Sequence, residues 1–211
     1  MENLEEVFKD TAATKKIMLP YKAAINIIKT KLEVLDEEMR CSIEHDPIHD
    51  IKSRIKSPAS ILEKLARKKQ SKTLSSLYTL HDIAGLRVIC HYVNDIHYVA
   101  QLLVLHEDTS LIEKRNYIQY PKANGYRSLH LIVKVPVYQK DGVIEVPVEI
   151  QIRTIAMDCW ASLEHELQYK GMCKVSDDTY NRLKQCAKNM EQTDFEMQKI
   201  YQELNSQWSK I

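Results

Sequence analysis

Hydrophobic positions in this chain follow two periods, and each change of period marks an element. Ile17, Tyr21, Ala24, Ile25, Ile28, Leu32 and Leu35 recur at three- and four-residue spacing, which predicts a helix with one buried face over residues 1–40. Pro20 is expected to mark a break there or the start of a second helix. The polar stretch HDPIHDIKSRIKSPAS, residues 45–60, carries two prolines and predicts a loop or short extended segment. A helix follows, with Ser57 near its N-cap and Pro58 at its first position. The apolar run from Leu86 to Val93 predicts a buried central strand. Residues 95–108 then form a short amphipathic helix, and residues 110–120 a further strand.

Two strictly alternating stretches come next. Leu129, Leu131, Val133, Val135 and Val137 point one way, while Ser128, His130, Ile132 and Lys134 point the other. Ile144, Val146, Val148, Ile150 and Ile152 likewise alternate with Glu145, Pro147, Glu149, Gln151 and Arg153. Pro147 removes one ladder donor and predicts an edge or a bulge at that point. Helical spacing resumes over residues 156–170. Residues 176–209 read as a long helix, since Tyr180, Leu183, Ala187, Met190, Met197, Tyr201 and Leu204 keep near-heptad spacing. The pattern gives an α/β (α+β) fold: a β-sheet flanked by helices over about residues 50–170, with helical extensions at 1–45 and 175–211, in one domain spanning 1–211.

Composition narrows the partners. A net charge of +1 excludes a uniformly basic nucleic-acid-binding surface, so any basic site is local. Cys41, Cys90, Cys159, Cys173 and Cys186 are odd in number and lack CxxC spacing, which reads as reduced thiols in a cytoplasmic protein. The opening residues MENLEE show no signal-peptide pattern, and no apolar run approaches the roughly 20 residues that span a bilayer.

Three groups of residues could carry chemistry. If the two alternating strands pair antiparallel, Tyr126, Ser128 and His130 share a face with Glu149, Gln151 and Arg153; a ring, a carboxylate, an amide and cations together suit a nucleotide, whereas each row alone reads equally as a solvent face. Lys52, Arg54, Lys56, Lys64, Arg67, Lys68 and Lys69 fall within 18 residues with Glu63 the one acid among them. That density suits a polyphosphate, or else a solvated basic face. No Walker A pattern and no GxGxxG is present, so side-chain cations rather than a glycine cradle would hold phosphates. Finally, Asp82 stands just before the buried run and Arg87 within it. This is either a structural Arg–carboxylate pair or a magnesium ligand completed by a second carboxylate, for which Glu149 is best placed.

Four blocks, SRIKSPASILEKLARK, HDIAGLRVIC, PKANGYRSLHLIV and VEIQIRTIAMDCWASLEHELQYK, resemble the synthetase domain of the RelA/SpoT proteins, in the family's order. The length resembles the single-domain branch, the small alarmone synthetases. The resemblance implies a nucleotidyltransferase-like mixed β-sheet. It implies transfer of pyrophosphate from ATP to the ribose 3′-hydroxyl of GDP or GTP, giving AMP and ppGpp or pppGpp, with Mg²⁺ required. By the same resemblance Asp82 and Glu149 are catalytic and metal-binding. Arg54, Lys56, Ser60, Lys64, Arg67 and Arg87 bind ATP. Arg115, Lys122, Tyr126, His130, Gln151, Asp158 and Glu164 line the GDP/GTP site, with Tyr126 stacking on guanine. A homotetramer built through the terminal helices is also implied, although their apolar stripes read equally as packing on the protein's own core; no membrane partner is expected, and the net charge of +1 disfavours nucleic acid as a partner without excluding it. Asp50 stands where some relatives carry an aromatic residue of an allosteric alarmone site, so product activation of that type is not expected. The other reading of the same residues is a nucleotide- or RNA-binding regulator on this fold with little catalysis. It would keep the basic segment and Tyr126 but would not need Asp82 and Glu149 together.

Overall fold

The computed structural model describes residues 3–43, 45–170 and 176–208. Its centre is a five-stranded mixed sheet built from β1 (Ile48–Ile55), β2 (Ala84–Cys90), β3 (Ser110–Asn116), β4 (Leu129–Gln139) and β5 (Gly142–Thr154), in the order β1-β2-β5-β4-β3. β2 and β5 run parallel; the other neighbours are antiparallel. Helices α1 (Leu4–Val7), α2 (Thr11–Ile43), α3 (Pro58–Arg67), α4 (Leu74–Leu77), α5 (Val93–Leu105), α6 (Ile155–Lys170) and α7 (Asp177–Trp208) surround it. The expected helix-flanked mixed sheet is borne out.

Alternation decides what the sheet buries. Ala84, Leu86, Val88 and Cys90 of β2 and Val148, Ile150 and Ile152 of β5 join one core with Ala24, Ile25, Ile28 and Leu32 of α2 and Ile96, Val99 and Leu103 of α5. Pro20 does not divide the N-terminal helix, which runs unbroken from Thr11 to Ile43. An interior proline costs about 3 kcal/mol, and burying the stripe from Met18 to Met39 on the core outweighs that.

The segment expected as a loop or short extended stretch is a full edge strand, β1, paired along its length with β2. Its polar composition misleads because an edge strand buries few side chains; Lys52 and Arg54 remain exposed. Pro147 pairs with Lys134 of β4, one residue before β2 begins to pair at Val148. It therefore lies where β5 still has one neighbour, as an edge position, and no bulge forms there. Ser128 and His130, expected on a polar face, are buried, with the Ser128 hydroxyl donating to the Ile152 carbonyl at 3.2 Å. Cys41, Cys90, Cys159 and Cys186 are free thiols; Cys173 lies outside the described residues.

Candidate active site

The strand register lays two rows of side chains across the sheet on the face away from α2. One row runs Arg54, Gly85, Glu149, Ile132, Glu113; the next runs Lys52, Arg87, Gln151, His130, Arg115. Gly85 contributes no side chain, so the floor beside Glu149 stays open. Above these rows lies a cleft of about 530 Å³, walled by Lys52, Arg54, Asp82, Arg87, Tyr126 and Glu149 and bounded by Gln151, Arg153, Ser162, Glu164 and His165. A larger cavity of about 820 Å³ opens beside α2, α4 and the β4–β5 hairpin. None of the expected site residues lines it, so polar convergence, not size, marks the site.

Asp82 stands two residues before β2, where Lys56 and Lys64 both pair with its Oδ2. Burial opposes its ionisation, but hydrogen bonds and charge from the two lysines hold the carboxyl below the usual carboxylate range. Its Oδ1 is buried and has no hydrogen-bond partner. An orphaned carboxylate oxygen on a cleft that also holds a second carboxylate is what a hard divalent cation would take up. Glu149 is that second carboxylate, and it is close enough for the Asp82 charge to oppose its ionisation. Burial opposes it too, yet the hydrogen bond from His130 prevails and its carboxyl stays below the ordinary value. No group of three or more His, Cys, Asp or Glu side chains gathers among the described residues. The donor set thus fits Mg²⁺ held by two carboxylates, with substrate phosphates and water supplying the rest.

Hydrogen-bond logic fixes the Tyr126 side of the cleft. Arg153 Nη2 donates to the Tyr126 hydroxyl at 2.5 Å, and that hydroxyl lies 2.8 Å from His130 Nε2. A guanidinium can only donate, so the tyrosine proton goes to Nε2 and the ring proton sits on Nδ1. Nδ1 lies 3.5 Å from Glu149 Oε1. Arg153 also donates to Gln151 Oε1 at 2.7 Å and to Asp158 Oδ1 at 3.2 Å. Arg87 reaches the same Asp158 oxygen at 3.0 Å. The expected Arg87 pairing is therefore present, while Arg87 also lines the cleft. Asp158, in the first turn of α6, lies behind the wall and holds two guanidinium groups in place. Lys122 Nζ lies 4.8 Å from the Tyr126 ring centroid.

Of the expected residues, Arg54, Asp82, Arg87, Tyr126, Glu149, Gln151 and Glu164 line the cleft, and Lys56, Lys64, His130, Asp158 and Lys122 contact that wall. Ser60 sits in the first turn of α3, bonded to its cap Ser57, and Arg67 ends that helix. Arg115 pairs with Glu113 at 2.6 Å on β3. These three lie outside the cleft wall. Arg153 was read from the sequence only as a cation on the shared strand face and was given no specific role; its bond to Tyr126, 27 residues away, could not be read locally.

A family model described as "Region found in RelA / SpoT proteins" matches residues 53–174. The chain is 42% identical to GTP pyrophosphokinase YwaC of Bacillus subtilis, over 97% of each chain. The crystal structure of small alarmone synthetase 1 from B. subtilis bound to its product pppGpp superposes with a TM-score of 0.82, at 38% identity over 90% of this chain and 96% of that one. The same synthetase bound to AMPCPP gives 0.77, at 34% identity over 90% and 97%. The fold, the cleft and these likenesses agree: the chain belongs to the RelA/SpoT family.

Proposed function

We propose that the protein is a GTP/GDP 3′-pyrophosphokinase, transferring the β,γ-diphosphate of ATP to the ribose 3′-hydroxyl of GDP or GTP to give AMP and ppGpp or pppGpp. One observation carries this reading. The two carboxylates, Asp82 and Glu149, lie in a single cleft between a cationic wall and an aromatic ring. A relative at 38% and 34% identity binds pppGpp in one crystal structure and AMPCPP in another, which supports nucleotides on both sides of the reaction.

The acceptor 3′-oxygen attacks the β-phosphorus, the bond from the β-phosphorus to the α-bridging oxygen breaks, and AMP leaves. Such a transfer depends on charge neutralisation and in-line placement. Arg54, Lys56, Lys64 and Arg87 supply cations along the ATP side, and Ser60 and Arg67 extend that edge along α3. Bound Mg²⁺, held by Asp82 and Glu149, would neutralise phosphate charge. Glu149, kept ionised at neutral pH, takes the hydroxyl proton, general-base help worth about 10²–10⁴-fold. Tyr126 stacks on the acceptor base once Lys122, an exposed side chain, leaves the ring face. Gln151, His130 and Glu164 border the acceptor, with Asp158 holding the arginines behind it and Arg115 at the far end of the His130 row.

The whole chain acts as one synthetase domain, and we place it in the cytoplasm as a homotetramer assembled through its terminal helices. The exposed Phe195, Met197, Ile200 and Leu204 of α7 support such an assembly. Anion-exchange separation after incubation with ATP, GDP or GTP and Mg²⁺ tests the activity. One AMP should form per guanosine product. Release of pyrophosphate or ADP instead would overturn the reading.

A further inference from the structure

The long helix α7 approaches the Tyr126 loop with one face. Leu183, Ala187, Glu191 and Asp194 follow at four-, four- and three-residue spacing, so they share that face. Each meets a different part of the acceptor side. Trp160 Nε1 of α6 donates to the Leu183 carbonyl at 3.0 Å. Gly125, in the left-handed region at φ 95°, passes so close that a Cβ there would lie 2.6 Å from the Ala187 Cβ. Arg127 Nη2 pairs with Glu191 Oε2 at 2.6 Å, and both side chains are largely buried, at 16% and 26% exposed. The other arm of Arg127 donates to the Ile118 carbonyl at 2.9 Å. The Thr154 hydroxyl, at the end of β5, donates to Asp194 Oδ2 at 2.7 Å.

Tyr126 is thus held from both sides by α7, through the close approach at Gly125 and the ion pair at Arg127. Neither Arg127 nor Glu191 lines the cleft. From this geometry we infer that Glu191, acting through Arg127, is a positioning residue for the guanosine acceptor. The C-terminal helix sets the pose of the Tyr126 ring and so the strength of acceptor binding, while the cations of the ATP wall stand on other elements, β1, β2 and α3. The inference rests on Tyr126 being the base-stacking residue. A partly buried guanidinium that pairs with a carboxylate through one arm and donates to a backbone carbonyl through the other restricts geometry more than an exposed pair does, which gives one side chain outside the cleft leverage over the loop.

The test compares Glu191→Gln, the milder Glu191→Asp, the single reversals Arg127→Glu and Glu191→Arg, their charge-swapped combination, and Tyr126→Ala, all in the full chain. Acceptor KM, ATP KM, kcat and thermal unfolding are measured for each. Glu191→Gln should raise the acceptor KM about 5- to 20-fold, leave the ATP KM within about twofold, and retain the parent's cooperative unfolding. The charge-swapped pair should recover part of that loss relative to either single reversal. A purely structural role would lower stability and the active fraction with both KM values unchanged, and would overturn the inference. An unchanged acceptor KM in both Glu191 variants, beside a raised one in Tyr126→Ala, would overturn it too. An unchanged acceptor KM in Tyr126→Ala itself would overturn the stacking role, and the inference with it.

Discussion

Asp82 and Glu149 show how one residue's role follows from its surroundings. Both are partly buried carboxylates, and burial alone would favour their neutral forms. Lys56 and Lys64 keep Asp82 ionised, and the His130 hydrogen bond does the same for Glu149. Two ionised carboxylates facing one cleft repel each other until a cation lies between them. Asp82→Asn or Glu149→Gln should therefore lower kcat by at least about 10²-fold while the circular dichroism spectrum and unfolding midpoint stay near those of the parent. Near-normal turnover in either variant would remove that residue from the metal and base assignment. Asp82 was singled out in the sequence by its place just before a buried strand, and Glu149 by the strand alternation that set its row; their metal and base roles came with the family resemblance. Arg153 was on the same strand face, but its work depends on Tyr126, 27 residues away, meeting it in space, which no local spacing encodes.

At the scale of elements, strong periodicity was readable and edge behaviour was not. The alternation in β4 and β5 gave both strands and their shared face. β1 has charged residues at three of its eight positions and two flanking prolines, so its strand character comes from pairing with β2 and not from its own pattern. The near-heptad stripe of α7 revealed a helix but not its contacts, since Glu191 and Arg127 are far apart in sequence. Asp194 adds a pH dependence to the docking of α7. Burial raises its carboxyl from 3.8 to about 6 in the folded chain. The folded state then binds the extra proton between those values, so this group's contribution to stability is greatest below about pH 4 and is lost as pH rises to about 6. Asp194→Asn should be more stable than the parent at about pH 7.5, by about 1–2 kcal/mol, with the gap closing toward about pH 4. Urea unfolding across that range checks it; a variant less stable than the parent at the higher pH would contradict the account.

For the molecule as a whole, the cleft exists because β2 and β5, distant in sequence, lie side by side and parallel. That pairing sets Asp82 near Glu149, with cations from β1 and α3 on one side and the Tyr126 loop on the other. The apolar outer residues of α7 bear on assembly. Light scattering should give about four times the chain mass of 24.6 kDa, and a monomer mass would contradict the proposed tetramer. The most direct measurement of the central claim follows ATP labelled in its β-phosphate, incubated with GDP or GTP and Mg²⁺. Transfer of an intact diphosphate predicts that the label appears in a guanosine tetra- or pentaphosphate in step with AMP. Label retained in ADP, or released as free pyrophosphate, would contradict it.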